Sequence, residues 1–164
     1  MIVISDNSVL SCLAEIGELD LLRVLYGKVT ITETIRREAV NPGAPEGLRT
    51  LISALPDWIS VVPDEIPSLE ETAALDPGEA SAITLAWKHR NASLLVLDEK
   101  RGRKVAGALG LRITGTAGLL TDAAAAGLID FEDAFLRLSQ TGFRLGAQVV
   151  ETLRQDLAKR LPSA

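Results

Sequence analysis

The sequence predicts an α/β fold in which a central, mainly parallel sheet is flanked by helices. Short runs of branched apolar residues alternate with segments of helical periodicity along nearly the whole chain, and this alternation is typical of βα units. The apolar runs are nearly continuous, as in strands that are buried on both faces. Two of them, MIVIS and SLLVL, are followed at once by an aspartate. Acids are therefore expected at the carboxyl edge of the sheet, where such folds bind their ligands.

The first half of the chain contains the patterns of three strands and four helices. The predicted strands are residues 1–5, 28–32 and 59–63, and the predicted helices are residues 8–17, 20–27, 33–40 and 49–58. Thr32 is the expected N-cap of the third helix, and Gly27 is expected to end the second. A turn-rich stretch, NPGAPEG, separates the third helix from the fourth.

The second half repeats the alternation around SLLVLD, the clearest buried strand of the chain. The predicted strands are residues 93–98 and 112–115, and the predicted helices are residues 79–90, 99–110, 116–128, 131–142 and 147–161, after a loop with a short helix at 64–78. We find no repeat and no linker that would divide the chain. A single domain over residues 1–164 is therefore expected, with a core at about residues 1–138 and a C-terminal helical extension at 139–164.

The composition excludes several kinds of site. A single cysteine, Cys12, allows neither an intramolecular disulfide nor a thiolate metal cluster, and a single histidine, His89, excludes any site that needs two. Few cysteines suit a reducing compartment, so we expect a cytoplasmic protein. No membrane association is expected, because the first residues lack a signal-peptide pattern and no apolar run is long enough to cross a bilayer. The sequence also lacks the motifs of dinucleotide-binding, P-loop and GxSxG hydrolase sites.

Carboxylates remain as the candidate chemistry. Asp6 and Asp98 end predicted strands, Glu38 lies near the end of a helix, and Glu79 begins one. Crowded acids raise each other's pKa unless a divalent cation lies between them, and oxygen ligands without histidine or thiolate suit Mg²⁺ or Mn²⁺. Each acid also has a purely structural interpretation, in which the two aspartates cap helices and Glu38 is a solvated helix end.

Glu79 has two interpretations that the sequence leaves open. In the stretch LDPGEASAITLAW, Asp76 suits the N-cap and Pro77 the first helical position, which makes Glu79 a capping-box residue at the favourable end of the helix dipole. The same position lets its carboxylate face a metal ion. Glu79 is therefore either a helix-start residue, a site residue, or both.

Five segments of the chain, in this order, resemble a PIN-like domain. They are VISDNSVLSCLAEIGELDLL, VTITETIRREAV, LDPGEASAITLAW, LLVLDEKRGRKVAGALGLRITGTAGLL and AAAAGLI. The resemblance covers at least residues 2–130 and is closest to a prokaryotic branch allied to the VapC-type ribonuclease toxins. It implies a three-layer α/β/α PIN-like fold with a central, mainly parallel sheet, and acids that meet around one or two Mg²⁺ or Mn²⁺ ions.

The resemblance also implies a set of site residues. The four acids implied to bind the metal and to be catalytic are Asp6, Glu38, Glu79 and Asp98. Many PIN toxins carry aspartate at the third of these positions, so the glutamate here is a variation with a longer reach. The polar residues implied to support substrate binding are Asn7, Ser8 and Thr116.

A basic cluster follows Asp98 and bears on nucleic-acid binding. Its members are Lys100, Arg101, Arg103 and Lys104. The net charge of −5 gives no basic field over the whole surface, so any attraction of nucleic acid must be local. The cluster is either a solvated helix face or a strip that binds the phosphate backbone beside the acids.

These features predict a divalent-metal-dependent endoribonuclease, the toxin of a toxin–antitoxin pair, which cleaves phosphodiester bonds of RNA with metal-activated water. We expect an antitoxin partner near the acids, and also a homodimer, since the apolar faces of the first helix and the tail exceed what a small sheet needs. The alternative is a PIN-like nucleic-acid- or protein-binding module with weak or no nuclease activity. A receiver domain with Asp98 as phosphoacceptor beside Lys100 is disfavoured, because receivers need a pair of acids after strand one and Glu79 would have no role.

Overall fold

The computed structural model describes residues 1–162 and has a five-stranded sheet at its centre. The strands are β1 (Ile2–Ser5), β2 (Val29–Thr32), β3 (Ile59–Val62), β4 (Ser93–Val96) and β5 (Ile113–Thr114). They pair in the order β3-β2-β1-β4-β5, and every pairing is parallel. Parallel neighbours need long crossover connections, and the helices supply them. The predicted α/β class and all five predicted strands are confirmed.

Nine α-helices and one short 3₁₀ helix, Glu70–Thr72, lie around the sheet within residues 1–162. The α-helices are α1 (Asn7–Glu15), α2 (Asp20–Tyr26), α3 (Glu33–Ala39), α4 (Glu46–Ser53), α5 (Pro77–Lys88), α6 (Lys100–Ala108), α7 (Thr116–Ala125), α8 (Phe131–Ser139) and α9 (Ala147–Arg160). α5 packs against β1, β2 and β4, whereas α1 packs with α3, α4 and α7. The arrangement is a three-layer α/β/α fold.

The strands are buried because helices cover both faces of the sheet. Ile4, Ile31 and Leu95, from three adjacent strands, are fully buried. Burying a side chain of this size contributes about 1.5–3 kcal/mol. Cys12 is a buried, free thiol. The close packing of the sheet fixes the positions of the residues that leave its carboxyl edge.

Local capping signals position the helices that follow these strands. Thr32 accepts a hydrogen bond from Ile35 N at 3.2 Å, as predicted for the N-cap of α3. Asp76 accepts one from Glu79 N at 2.9 Å and caps α5. Gly27 ends α2 with φ of 75°, a left-handed conformation that glycine adopts at little cost.

The prediction of a helix over residues 49–58 is wrong in register. The helix is α4, Glu46–Ser53, which begins inside the stretch predicted as a turn. Pro56 explains the early end, because a proline disfavours helical geometry at the preceding residue, here Leu55. Glu46 lies in the first turn, where an acid interacts favourably with the helix dipole. The other predicted helices begin and end within one turn of their predicted bounds.

The C-terminal helix α9 folds back onto α7. Leu157 of α9 is buried, and Arg160 pairs with Asp122 of α7 at 2.9 Å. Residues 163 and 164, at the end of the predicted extension, lie outside the described residues. Among residues 1–162, no helix has the length and apolar character needed to cross a membrane.

Candidate functional site

Two aspartates meet at the carboxyl edge of the sheet because β1 and β4 are parallel neighbours. Ser5, the last residue of β1, pairs with Val96, the last residue of β4. Asp6 follows directly, and its backbone N donates a hydrogen bond to Val96 O at 3.1 Å. Asp98 lies two residues beyond Val96. The edge predicted to carry the site therefore carries both strand-end acids.

Asp6 is almost completely buried, with 2% of its surface exposed. Its carboxylate accepts hydrogen bonds from Val9 N at 3.2 Å and from Ser8 Oγ at 2.8 and 2.7 Å, so it also caps α1. The pKa of Asp6 is raised to about 7, mainly by burial and in part by the charge of Asp98, whereas these hydrogen bonds lower it. The capping interpretation of Asp6 is confirmed, and it is compatible with the predicted site role, since a helix cap can also be a site acid.

Glu38 comes from the last turn of α3 and is half-buried, not a solvated helix end. Its carboxylate packs against the backbone of Gly78 in the first turn of α5. Burial raises its pKa above the ordinary range, and the charge of Asp76 adds to the shift, whereas a backbone hydrogen bond from Gly78 opposes it. Glu38 of α3 and Asp76, the N-cap of α5, thus both lie at the start of α5.

Glu79 is the third acid at this end of the sheet and is only 8% exposed. Its Oε1 atom is buried and has no hydrogen-bond partner among the described residues. The pKa of Glu79 is raised to about 7, mainly by burial, with further contributions from a hydrogen bond with Asp76 and from the charges of Asp76 and Asp6. A buried polar atom without a partner is destabilising, which favours a role beyond starting a helix.

Asp98 does not cap the helix that follows it. Its carboxylate instead accepts hydrogen bonds from Thr116, from the backbone N at 2.7 Å and from Oγ1 at 2.6 Å. Thr116 is fully buried at the start of α7. Asp98 is therefore held in one orientation by a residue 18 positions further along the chain.

Three glycines make room for three of the carboxylates. A Cβ on Gly78 would meet the carboxyl carbon of Glu38 at 2.9 Å, and one on Gly102 would meet Glu79 Oε1 at 2.6 Å. A Cβ on Gly115 would meet Asp98 Oδ1 at 2.6 Å.

These glycines lie at the starts of α5, α6 and α7, and Asp6 caps α1. Each of the four carboxylates thus lies against the first turn of a helix, where the dipole favours negative charge, although Glu38 itself belongs to the last turn of α3.

The four acids share two adjoining cavities. Asp6, Glu38 and Glu79 line a cavity of about 210 Å³. Asp98 lines a larger groove of about 740 Å³. Ser8 and Ser11 of α1 line both, so the two cavities are neighbours.

The predicted supporting residues fall into two groups. Asn7 and Ser8 line the acidic cavity, and the buried Asn7 Oδ1 has no hydrogen-bond partner in the described part of the chain. Lys100 and Arg103 line the larger groove beside Asp98. Arg101 and Lys104 are exposed on α6 and line neither space, so the structure divides the basic cluster.

Two further acids line the cavity and were not predicted as site residues. Asp76 was interpreted only as the N-cap of α5, yet it also faces the space between Glu38 and Glu79. Glu99, directly after Asp98, lines both cavities. The sequence signal that could have found them is adjacency, since each lies within three residues of a predicted site acid.

The donor atoms fit a hard divalent cation in their chemistry. They are carboxylate oxygens, which Mg²⁺ and Mn²⁺ prefer, and Glu79 Oε1 is buried without a partner. The glycines at 78, 102 and 115 keep side chains out of the space around the acids. Within residues 1–162, however, no three acidic, histidine or cysteine side chains are grouped closely enough to hold an ion as they stand.

A parallel three-layer α/β/α domain with acids at the carboxyl edge defines the class of this protein. A family model, DUF3368, described as a PIN domain, matches residues 2–159. The chain belongs to this PIN-domain family, and the predicted resemblance is confirmed at that level. PIN domains are usually nucleases and generally use divalent metals. No curated protein and no solved structure matches this chain significantly.

Proposed function

We propose that the protein is a divalent-metal-dependent endoribonuclease in which Asp6, Glu38, Glu79 and Asp98 hold Mg²⁺ or Mn²⁺. The observation that supports this most is the placement of four carboxylates at one edge of the sheet, each against the first turn of a different helix. A buried carboxylate oxygen without a hydrogen-bond partner is hard to explain by a structural role alone, and Glu79 Oε1 is such an atom.

In this proposal the chain contributes carboxylate oxygens in fixed orientations, and its histidine has no catalytic role. When bound, a divalent ion activates water and stabilises charge on the leaving oxygen. Thr116 fixes the Asp98 carboxylate and Ser8 fixes that of Asp6. His89 does not take part, because it follows Glu79 by ten helical positions, or about 15 Å along α5 at 1.5 Å per residue.

Lys100 and Arg103 lie where an RNA backbone would approach the acids. Both line the groove that also contains Asp98. Among residues 1–162 neither makes a salt bridge. Arg103 Nη1 donates a hydrogen bond to Leu97 O at 2.8 Å, but no acid in this part of the chain neutralises either charge, so both residues can bind phosphate. A local basic strip of this kind is compatible with the negative net charge of the whole chain.

One observation favours a second candidate, a PIN-like binding module with weak or no nuclease activity. The four proposed metal ligands line two adjoining cavities, and no three such side chains of residues 1–162 are grouped closely enough to hold a metal ion. A module that binds nucleic acid or protein would need the cavities but not the cluster.

Cleavage of a single-stranded RNA carrying a fluorophore and quencher separates the two candidates. The nuclease is expected to cleave it with Mg²⁺ or Mn²⁺, to stop in EDTA, and to lose activity in Asp98→Asn. Cleavage that persists equally in Asp98→Asn would come from a contaminating ribonuclease. A folded parent protein that binds the RNA and leaves it intact would favour the binding module.

We also propose that the protein is cytoplasmic, forms a homodimer and is the toxin of a toxin–antitoxin pair. The apolar face of α1 does not support the dimer, because Val9, Leu10 and Leu13 are buried in the core. Leu136 of α8 and Leu128 before it are 59% and 41% exposed and are the better candidates for an interface. Light scattering that gives a monomer at high concentration would contradict the dimer, and harmless overproduction in a bacterial host would contradict the toxin.

A further inference from the structure

The groove of about 740 Å³ beside the acids has one wall built by the C-terminal segment. Thr141 to Leu145, between α8 and α9, line it together with Val149 and Leu153 of α9. Phe143 is half-buried there and Arg144 is exposed. Except for Arg144, the side chains of this wall carry no charge, and most of them are apolar.

The charged residues that line the groove come from two parts of the chain. Arg144 is on the C-terminal wall, and among residues 1–162 it makes no salt bridge. The acids Glu15 and Glu99 also line the groove, but each lines a second cavity with Glu38 as well. Negative charge is therefore concentrated toward the four acids, and the C-terminal wall offers an aromatic ring and a cation.

We infer that this wall is a nucleotide subsite, in which Phe143 contacts a base and Arg144 a backbone phosphate of single-stranded RNA that extends to the acids. The inference rests on the proposed ribonuclease function and adds the groove, the strand type and two residues to it. Sites for single strands combine a cationic track with an aromatic side chain on which a base stacks. An apolar protein segment would use Leu145 and Val149 but would leave Arg144 without a role.

The wall is held in place by α9. Arg154 pairs with Glu132 of α8 at 2.6 Å, and Arg160 pairs with Asp122 of α7 at 2.9 Å. Leu157 is buried between these contacts. Because helices on both sides of the segment are packed on the domain, its backbone is already placed in the protein without RNA, which lowers the ordering cost of binding.

Fluorescence anisotropy with two labelled oligomers in EDTA tests the subsite without cleavage. One is an eight-residue oligoadenylate and the other is the ribose-phosphate chain of the same length without bases. Phe143→Leu, which keeps an apolar side chain, is expected to weaken oligoadenylate binding at least fivefold and to leave the abasic chain unaffected. Arg144→Gln is expected to weaken both alike and to lower the slope of log K against log salt by about 0.7.

Arg112→Gln is the matched control, because Arg112 is exposed, does not line the groove and contacts Met1 with its guanidinium. It should bind both oligomers like the parent. Thermal melts establish whether each variant is folded. If Phe143→Leu does not fold, Arg144→Gln still tests the groove.

Unchanged affinities in folded variants, or no binding by the parent, would overturn the inference and assign the apolar wall to a protein segment. The cleavage assay remains separate. RNA cleavage by the parent, with unchanged affinities in the variants, would support the nuclease and contradict the subsite. Base-dependent binding without cleavage would support the subsite and contradict the nuclease.

Discussion

Gly102 of α6 lies directly against the carboxylate of Glu79. A Cβ at position 102 would be 2.6 Å from Glu79 Oε1 and 3.1 Å from Leu97 Cδ2. Glycine is a poor residue inside a helix, so its presence in the first turn of α6 has a steric reason. It leaves the space that the buried carboxylate occupies.

Replacing this glycine should therefore cost more than its helix propensity gains. Gly107 of the same helix is the matched control, because a Cβ there would meet nothing within 4 Å. Gly107→Ala is expected to stabilise the protein by about 0.5–1 kcal/mol. Gly102→Ala should displace Glu79, give no such gain and reduce metal-dependent RNA cleavage. Chemical denaturation and the cleavage assay measure both effects, and equal behaviour of the two variants would contradict the steric role.

The stability of the metal-free protein should fall as the pH rises from about 4 to 7. Burial raises the pKa of Asp6 from 3.8 to about 7, and that of Glu79 from 4.5 to about 7. Between about pH 4 and pH 7, Asp6 and Glu79 keep protons in the folded state that they have already lost in the unfolded state. The free energy of unfolding therefore decreases as the pH rises.

Unfolding in denaturant and EDTA at about pH 5 and about pH 8 measures this slope. Asp6→Asn should flatten it, because asparagine keeps the cap of α1 without the charge. A free energy of unfolding that is higher at pH 8 than at pH 5 would contradict the assignment of two buried, proton-binding acids.

Mn²⁺ should stabilise the folded protein, since it relieves repulsion among the carboxylates. A ligand that binds only the folded state at 100 times its Kd contributes about 2.7 kcal/mol. We expect a higher Tm with millimolar Mn²⁺ than in EDTA, and a smaller shift for Asp98→Asn. If the Tm stays constant and calorimetry detects no binding heat, the acids are a degenerate site.

Local patterns in the sequence predict the elements of the fold well. Branched apolar runs marked all five strands, and Thr32 marked the start of α3, because burial and capping depend on neighbours along the chain. The register of α4 differs from its apolar pattern, because Pro56 limits the C-terminus of the helix.

The candidate site could be predicted only in part. Asp6 and Asp98 could be placed at one edge because both follow buried strands. The bond of Asp98 to Thr116 and the contact of Gly102 with Glu79 depend on how separate helices pack. No local pattern encodes such contacts, and Asp76 was overlooked because its capping role already explained it.

The two roles of Glu79 can be separated by one conservative substitution. Glu79→Gln keeps a side chain that can complete a capping box and removes one negative charge from the acidic cavity. Without metal its stability should stay level or rise, because the repulsion from Asp76 and Asp6 falls. Metal-dependent cleavage should decrease at least tenfold, or about 1.4 kcal/mol of barrier, and Asp98→Asn should lose activity as severely. A Glu79→Gln protein that cleaves RNA as fast as the parent would restrict Glu79 to starting α5.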